Sequence, residues 1–165
     1  MTAAGPGPSA RFPPLTGVTA MLFRRATTPP EVFPVTRSDA EWRAALSPEA
    51  FRILRQHGTE RPGTSPLNGE KRPGRFVCAG CGTALFDQAA KFDSGTGWPS
   101  FFAPIAGAVG TKADRTLFMT RTEVHCATCG GHLGHVFADG PAPSGQRFCM
   151  NGAAMAFQPR DLSDG

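Results

Sequence analysis

Nine residues carry most of the chemistry open to this 165-residue chain: five cysteines and four histidines. Four of the cysteines form two C-x-x-C pairs, Cys78-Ala-Gly-Cys81 and Cys126-Ala-Thr-Cys129, each followed by glycine. Two thiolates at i and i+3 on a tight turn make a zinc knuckle, and two knuckles close a tetrahedron. The residues therefore predict a structural zinc held by Cys78, Cys81, Cys126 and Cys129. Because 44 residues separate the two pairs, the metal would pin distant parts of one domain together. Disulfides within each pair would close trivially small loops and constrain the unfolded chain little. Redox C-x-x-C pairs would need a thioredoxin-like βαβ setting that the flanking residues lack.

The fifth thiol, Cys149, stands in Arg147-Phe-Cys-Met-Asn151. Side chains alternate along a strand. Arg147, Cys149 and Asn151 then share one face, and Phe148 and Met150 the other. A neighbouring guanidinium stabilises the thiolate, the nucleophilic form. A buried structural cysteine is the rival reading, but a core cysteine seldom shares its face with Arg and Asn. His132 and His135 follow the second knuckle in Gly131-His-Leu-Gly-His-Val-Phe137. With cysteines filling the zinc, they are left for acid–base work at a nucleophile or for a structural role, and the residues alone leave both open. On a regular strand these two rings would face opposite ways, and Gly134 can break that regularity so that they converge. His57 and His125 read as solvent-facing, helix-end or strand residues. Trp98 lies in the glycine-rich loop Asp93-Ser-Gly-Thr-Gly-Trp-Pro-Ser-Phe-Phe102, which Pro99 stiffens. On the loop alone it reads as a core plug rather than a ligand platform.

The elements that must position these groups are short. Ser38-Asp-Ala-Glu41 is a capping box opening a helix through Leu46. Ser47 then caps a second helix with Pro48 at its first position. Ala50, Phe51 and Leu54 give its apolar stripe, and Gly58 is the expected stop. Beyond Gly58 the period changes. Arg75–Cys78, Leu117–Arg121, Glu123–Cys126, His135–Asp139, Gln146–Asn151 and Met155–Gln158 read as strands between glycine-rich turns. Glycine and proline, 36 of 165 residues, argue against a helix bundle. The expected class is α+β, mainly β, built on small antiparallel sheets.

Charge and composition exclude several functions. The net charge of +4 is concentrated at the start, where Arg11, Arg24 and Arg25 precede the first acid, Glu31. The remaining 14 basic and 13 acidic residues nearly cancel, which does not suit a phosphate-binding surface, so no nucleic-acid partner is expected. No apolar run approaches the roughly 18 residues of a membrane-spanning helix, so no membrane partner is expected. Residues 1–34 hold seven Pro and three Gly without any period and are expected to be a disordered basic extension. The folded domain is expected over 35–160, with a tail at 161–165. A cytoplasmic location is expected, with organelle targeting through the basic extension as the alternative.

Lys91-Phe-Asp-Ser-Gly-Thr-Gly-Trp-Pro-Ser-Phe101, Arg121-Thr-Glu-Val124, Gly131-His-Leu-Gly-His-Val-Phe137, Asp139-Gly-Pro141 and Arg147-Phe-Cys-Met-Asn151 together resemble the methionine-R-sulfoxide reductases, the MsrB family, of the zinc-bearing type. The resemblance spans about 35–160 and leaves the extension aside. It implies two small antiparallel sheets in a barrel-like arrangement after short N-terminal helices. It implies an enzyme of oxidative-stress defence and protein repair that reduces the R epimer of methionine sulfoxide, protein-bound and possibly free. Cys149 matches the catalytic nucleophile, and His132, His135 and Asn151 match the polar residues around the sulfoxide. Arg147 matches the residue near the thiol, Trp98 the aromatic against the substrate's S-methyl group, and Phe137 a second apolar wall. Many relatives carry, in the position of Thr96, a cysteine that resolves the oxidised nucleophile. This chain has no cysteine beyond Cys149 and the two pairs. A Cys149 sulfenic acid recycled by thioredoxin, glutaredoxin or a small thiol is therefore implied. The rival functions are a non-catalytic zinc-knuckle interaction module and another thiol oxidoreductase on the same scaffold.

Overall fold

The computed structural model describes residues 30–116 and 118–161. The extension expected over 1–34 thus lies mostly outside the described residues, as does the end of the tail. Two helices come first. The first, α1 (Asp39–Ala45), opens on the full capping box: Ser38 accepts from the Glu41 N–H, and the Glu41 carboxylate accepts from the Ser38 N–H. α2 (Pro48–Gln56) is capped by Ser47 and buries Ala50, Phe51, Ile53 and Leu54. Its left-handed end residue is His57, φ 54, rather than the expected Gly58. Glycine is needed at 58 for a different reason: a Cβ there would stand 2.9 Å from the Arg52 carbonyl oxygen.

Nine strands follow among the described residues: β1 (Gly74–Cys78), β2 (Ala84–Asp87), β3 (Lys91–Phe92), β4 (Ser100–Phe101), β5 (Val109–Thr116), β6 (Met119–Cys126), β7 (His132–Phe137), β8 (Arg147–Met150) and β9 (Met155–Pro159). They form two antiparallel sheets, one of three strands in the order β2-β1-β9 and one of six in the order β3-β4-β8-β7-β6-β5. The arrangement stays open, because β3 and β5, the two ends of the larger sheet, do not pair with each other among the described residues. The α+β, mainly β architecture is as expected.

Differences from the expected strands have physical reasons. Leu117–Arg121 and Glu123–Cys126 were expected as two strands; β6 runs unbroken from Met119 to Cys126, and the chain reverses before it. Residue 117 lies outside the described residues. β5 was not expected at all, because Val-Gly-Thr-Lys-Ala-Asp-Arg-Thr lacks apolar alternation. Its strand form comes from an eight-pair ladder with β6 rather than from burial. β7 starts three residues earlier than expected, directly after the knuckle, with a bulge against β6.

The core lies between the helices and the sheets. Trp42, Phe51, Ile53 and Leu54 from the helices meet Phe76, Leu85, Phe86, Phe101, Val124, Leu133, Phe148 and Met150 from the strands. Phe101 stacks on Phe86 at 4.3 Å and meets Phe76 edge-on at 5.0 Å, contacts worth about 1 kcal/mol each beyond area burial. Phe148 and Met150 are buried, so β8 must turn Cys149 to its other face.

Candidate active site

Cys149 sits near the middle of the larger sheet, with Ser100 of β4 directly opposite on one side and His135 of β7 on the other. Residues directly opposite share a sheet face, so the thiol, His135 and Ser100 point the same way. Gly134 makes this close packing of β7 on β8 possible, since a Cβ there would overlap the Cys149 carbonyl oxygen. The pocket over the thiol is small, about 110 Å³, and is lined by Trp98, Arg121, His135, Phe137, Cys149 and Asn151 together with Thr59 and Gly134.

The loop 93–98 brings Trp98 to this pocket. Gly97 carries it through φ +89, and its carbonyl accepts from the Gly63 N–H at 2.7 Å and from the Asn68 amide at 2.9 Å. The Trp98 indole N–H donates to the Glu60 carbonyl at 3.2 Å. Trp98 is half-buried and lines the pocket, so the core-plug reading of the loop alone is not what the fold builds. Glu60 is itself buried and accepts from the N–H groups of Gly152 at 2.6 Å and Ala153 at 3.0 Å. Asn151 accepts from the Glu60 N–H at 2.9 Å and donates to the Leu133 carbonyl at 2.9 Å. Asn151 thus ties three chain segments together at the pocket floor.

Burial pushes the Cys149 thiol above its ordinary value. The Thr96 hydroxyl and the Arg147 guanidinium pull against that shift. Neither acts alone. Thr96 bonds Ser94 at 2.8 Å and Ser94 bonds Ser100 at 2.8 Å, a chain of hydroxyls ending under Cys149. Arg147 is held by a two-point contact to Asp139, at 2.9 and 3.1 Å, and lies 4.5 Å over the Phe137 ring.

The histidines divide. His135 Nε2 lies 2.9 Å from Asp114, whose carboxyl is held down at about 2, chiefly by Thr116 and His135. Burial lowers the His135 imidazole below its ordinary value, and Asp114 works in the opposite direction. His132 is buried and its ring centroid lies 5.5 Å from that of His135, so the two converge as Gly134 suggested. His132 nevertheless lines the neighbouring cavity rather than the Cys149 pocket. His57 ends α2, and His125 is a buried β6 residue, as expected. Sequence reasoning missed Asp114, Arg121, Glu60, Ser94 and Ser100. Asp114 lies on the unexpected strand, and Glu60 is buried through long-range contacts that no local pattern marks.

The four knuckle cysteines come together as expected. Their sulfurs all lie within 4.8 Å of one another, with Cys78–Cys129 at 3.7 Å and Cys81–Cys126 at 3.6 Å, and none is in a disulfide. A tetrahedral ion with metal–sulfur bonds of about 2.3 Å needs sulfurs roughly 3.8 Å apart. The donor set fits a metal ion.

A family model described as the SelR domain matches residues 46–159. The peptide methionine sulfoxide reductase MsrB of Agrobacterium fabrum is 54% identical over 126 residues, which cover 76% of this chain and 93% of that protein. The protein of the same name from Thiobacillus denitrificans is 52% identical over 126 residues, 76% of this chain and 96% of its own. That from Methanosarcina barkeri is 48% identical over 128 residues, 77% and 90%.

Proposed function

The chain belongs to the MsrB family of peptide methionine sulfoxide reductases, and we propose that it reduces the R epimer through a Cys149 sulfenic acid that an outside thiol recycles. The observation that carries this reading is a lone thiol in a pocket of about 110 Å³ lined by Trp98, Phe137 and His135. The sulfoxide's S-methyl group packs on Trp98, with Phe137 as the second apolar wall. The Cys149 sulfur attacks the sulfoxide sulfur, and the S–O bond breaks as oxygen passes to Cys149. A thiol and a sulfoxide become a sulfenic acid and a thioether. The Cys149 sulfur loses two electrons and the substrate sulfur gains two. His135, opposite the thiol, supplies the proton at the oxygen, with His132 behind it. Arg147 and Thr96 favour the thiolate, and Asn151 fixes the pocket floor.

A first reductant thiol then condenses with the sulfenic acid, releasing water and leaving a mixed disulfide. A second thiol displaces Cys149. Thioredoxin, glutaredoxin or a small thiol fills this role, since Thr96 stands where many relatives have a resolving cysteine. Cys78, Cys81, Cys126 and Cys129 would hold a zinc whose role would be structural, outside the redox step. The R preference rests on the family resemblance.

The test is turnover of the separate R and S epimers, as peptide and as free amino acid, with dithiothreitol. Reduction of R alone, lost in Cys149→Ser with unchanged metal content, is expected. Turnover by Cys149→Ser, or equal use of both epimers, refutes the reading. Absence of any turnover refutes it as well and returns the choice to the two rivals, a zinc-knuckle interaction module and another thiol oxidoreductase on the same scaffold.

A further inference from the structure

His57, Glu123 and His132 form a second group of ligating side chains, apart from the four cysteines. They come from the end of α2, from β6 and from the start of β7. Glu123 Oε2 lies 3.4 Å from His57 Nδ1, and Glu123 Oε1 lies 3.5 Å from His132 Nδ1. Glu123 and His132 are only 6% and 3% exposed at their side chains. Even so, neither Glu123 Oε1 nor His132 Nδ1 has a hydrogen-bond partner among the described residues. A buried polar atom without a partner costs about 1–3 kcal/mol, so two of them facing each other call for a third body.

A small cation meets the geometry. Bonds of about 2.0–2.1 Å to nitrogen and oxygen, arranged tetrahedrally, put neighbouring ligand atoms roughly 3.4 Å apart. The two imidazole nitrogens stand at about that distance from different oxygens of Glu123, and one ligand atom from each of the three residues lies within 4.8 Å of the others, so a small rotation of the carboxylate brings all three onto one ion. The backbone is set for it as well. His57 holds a left-handed φ of 54, uncommon for a residue other than glycine, and its ring lies 5.2 Å from that of His132. Burial pushes the Glu123 carboxyl up, but His132, Lys112 and His57 more than offset this and keep it below the usual carboxylate range. All three residues line a cavity of about 430 Å³, which has room for water as a fourth ligand. Lys112 is the competing cation, 3.7 Å from Glu123 Oε1. Its side chain is half-exposed and can swing to solvent.

We propose that His57, Glu123 and His132 bind a divalent transition-metal ion, with Zn²⁺ the best match to two imidazoles, one carboxylate and an open position. The site is separate from the four cysteines, and it stands whether or not Cys149 reduces sulfoxides.

Cobalt reports its own ligands and is the probe. Full-length protein is dialysed against a mild chelator until one zinc per chain remains, then titrated with Co²⁺. One further equivalent should bind, with the weak visible absorption of a nitrogen–oxygen site and without thiolate charge-transfer absorption. His57→Asn, chosen because asparagine tolerates the left-handed backbone, should bind at least about ten-fold more weakly with its zinc content unchanged. Glu123→Gln should do the same. Failure of the wild type to bind cobalt overturns the site. So does equal affinity in His57→Asn, or a spectrum carrying thiolate character.

Discussion

The reactivity of Cys149 is a contest between burial, which raises its thiol, and two neighbours that lower it. Arg147 is the charged one, and a hydrogen bond to a charged group contributes about 1.5–3 kcal/mol. Removing it should therefore raise the thiol further. At a fixed mildly alkaline pH less thiolate is then present in Arg147→Ala, and alkylation slows. Iodoacetamide labelling of the Cys149 peptide against pH, read by mass spectrometry, measures this. An unmoved midpoint would show that Arg147 serves Phe137 and Asp139 rather than the sulfur. Thr96 makes the second residue-scale prediction. Its hydroxyl helps to lower the Cys149 thiol and is chained through Ser94 to Ser100, directly opposite Cys149, so Thr96→Cys should bring a second sulfur to the thiol. After one equivalent of sulfoxide, wild type should be trapped by dimedone, while Thr96→Cys should instead hold a disulfide to Cys149. An internal disulfide in wild type with zinc released would make a knuckle cysteine the resolver.

At the scale of elements, the loop carrying Trp98 can be tested through its two glycines. Both have positive φ, +73 at Gly95 and +89 at Gly97, but their surroundings differ. A Cβ on Gly95 meets nothing within 4 Å, whereas one on Gly97 stands 2.8 Å from both the Gly63 nitrogen and Pro62 Cβ. Gly95→Ala should cost only the backbone penalty of about 1 kcal/mol. Gly97→Ala should cost at least about 1 kcal/mol more, because the segment that anchors Trp98 must shift. Urea unfolding of the two variants measures the difference, and equal losses would mean the 62–63 segment yields freely. These elements also show what could be read from the sequence. Capping residues are local signals, so α1 and α2 were legible to within a residue, although His57 took the left-handed position assigned to Gly58. Alternation made β8 legible, and with it the face bearing Cys149. β5 was not legible, because its strand form depends on a partner that no local pattern announces. Asp114, the carboxylate behind His135, was lost with it. Glu60 was missed for the same reason at longer range: its partners Gly152 and Ala153 are 92 and 93 residues away.

For the whole molecule the question is what holds the two sheets in register over the pocket. Cys78 ends β1 in the three-stranded sheet and Cys81 follows it, while Cys126 ends β6 in the six-stranded sheet and Cys129 precedes β7. A metal ion held by these four sulfurs would be a bond between the sheets. Trp42 and Leu54 pack beside it, against Gly80 and Gly131. Magnitudes decide how much this matters. Structural zinc contributes about 10–16 kcal/mol where binding and folding are coupled, and a whole domain is stable by only about 5–15 kcal/mol. Loss of the ion therefore removes a free energy as large as the stability itself. Extraction with a strong chelator should abolish the cooperative thermal transition, and Cys126→Ser should be recovered unfolded. Cys149→Ser should unfold like wild type, because that sulfur lies in the site and holds no strands together. Calorimetry of the three samples, with metal measured in each, is the check. A metal-free protein that keeps its transition within a few degrees would show that the aromatic core alone aligns the sheets.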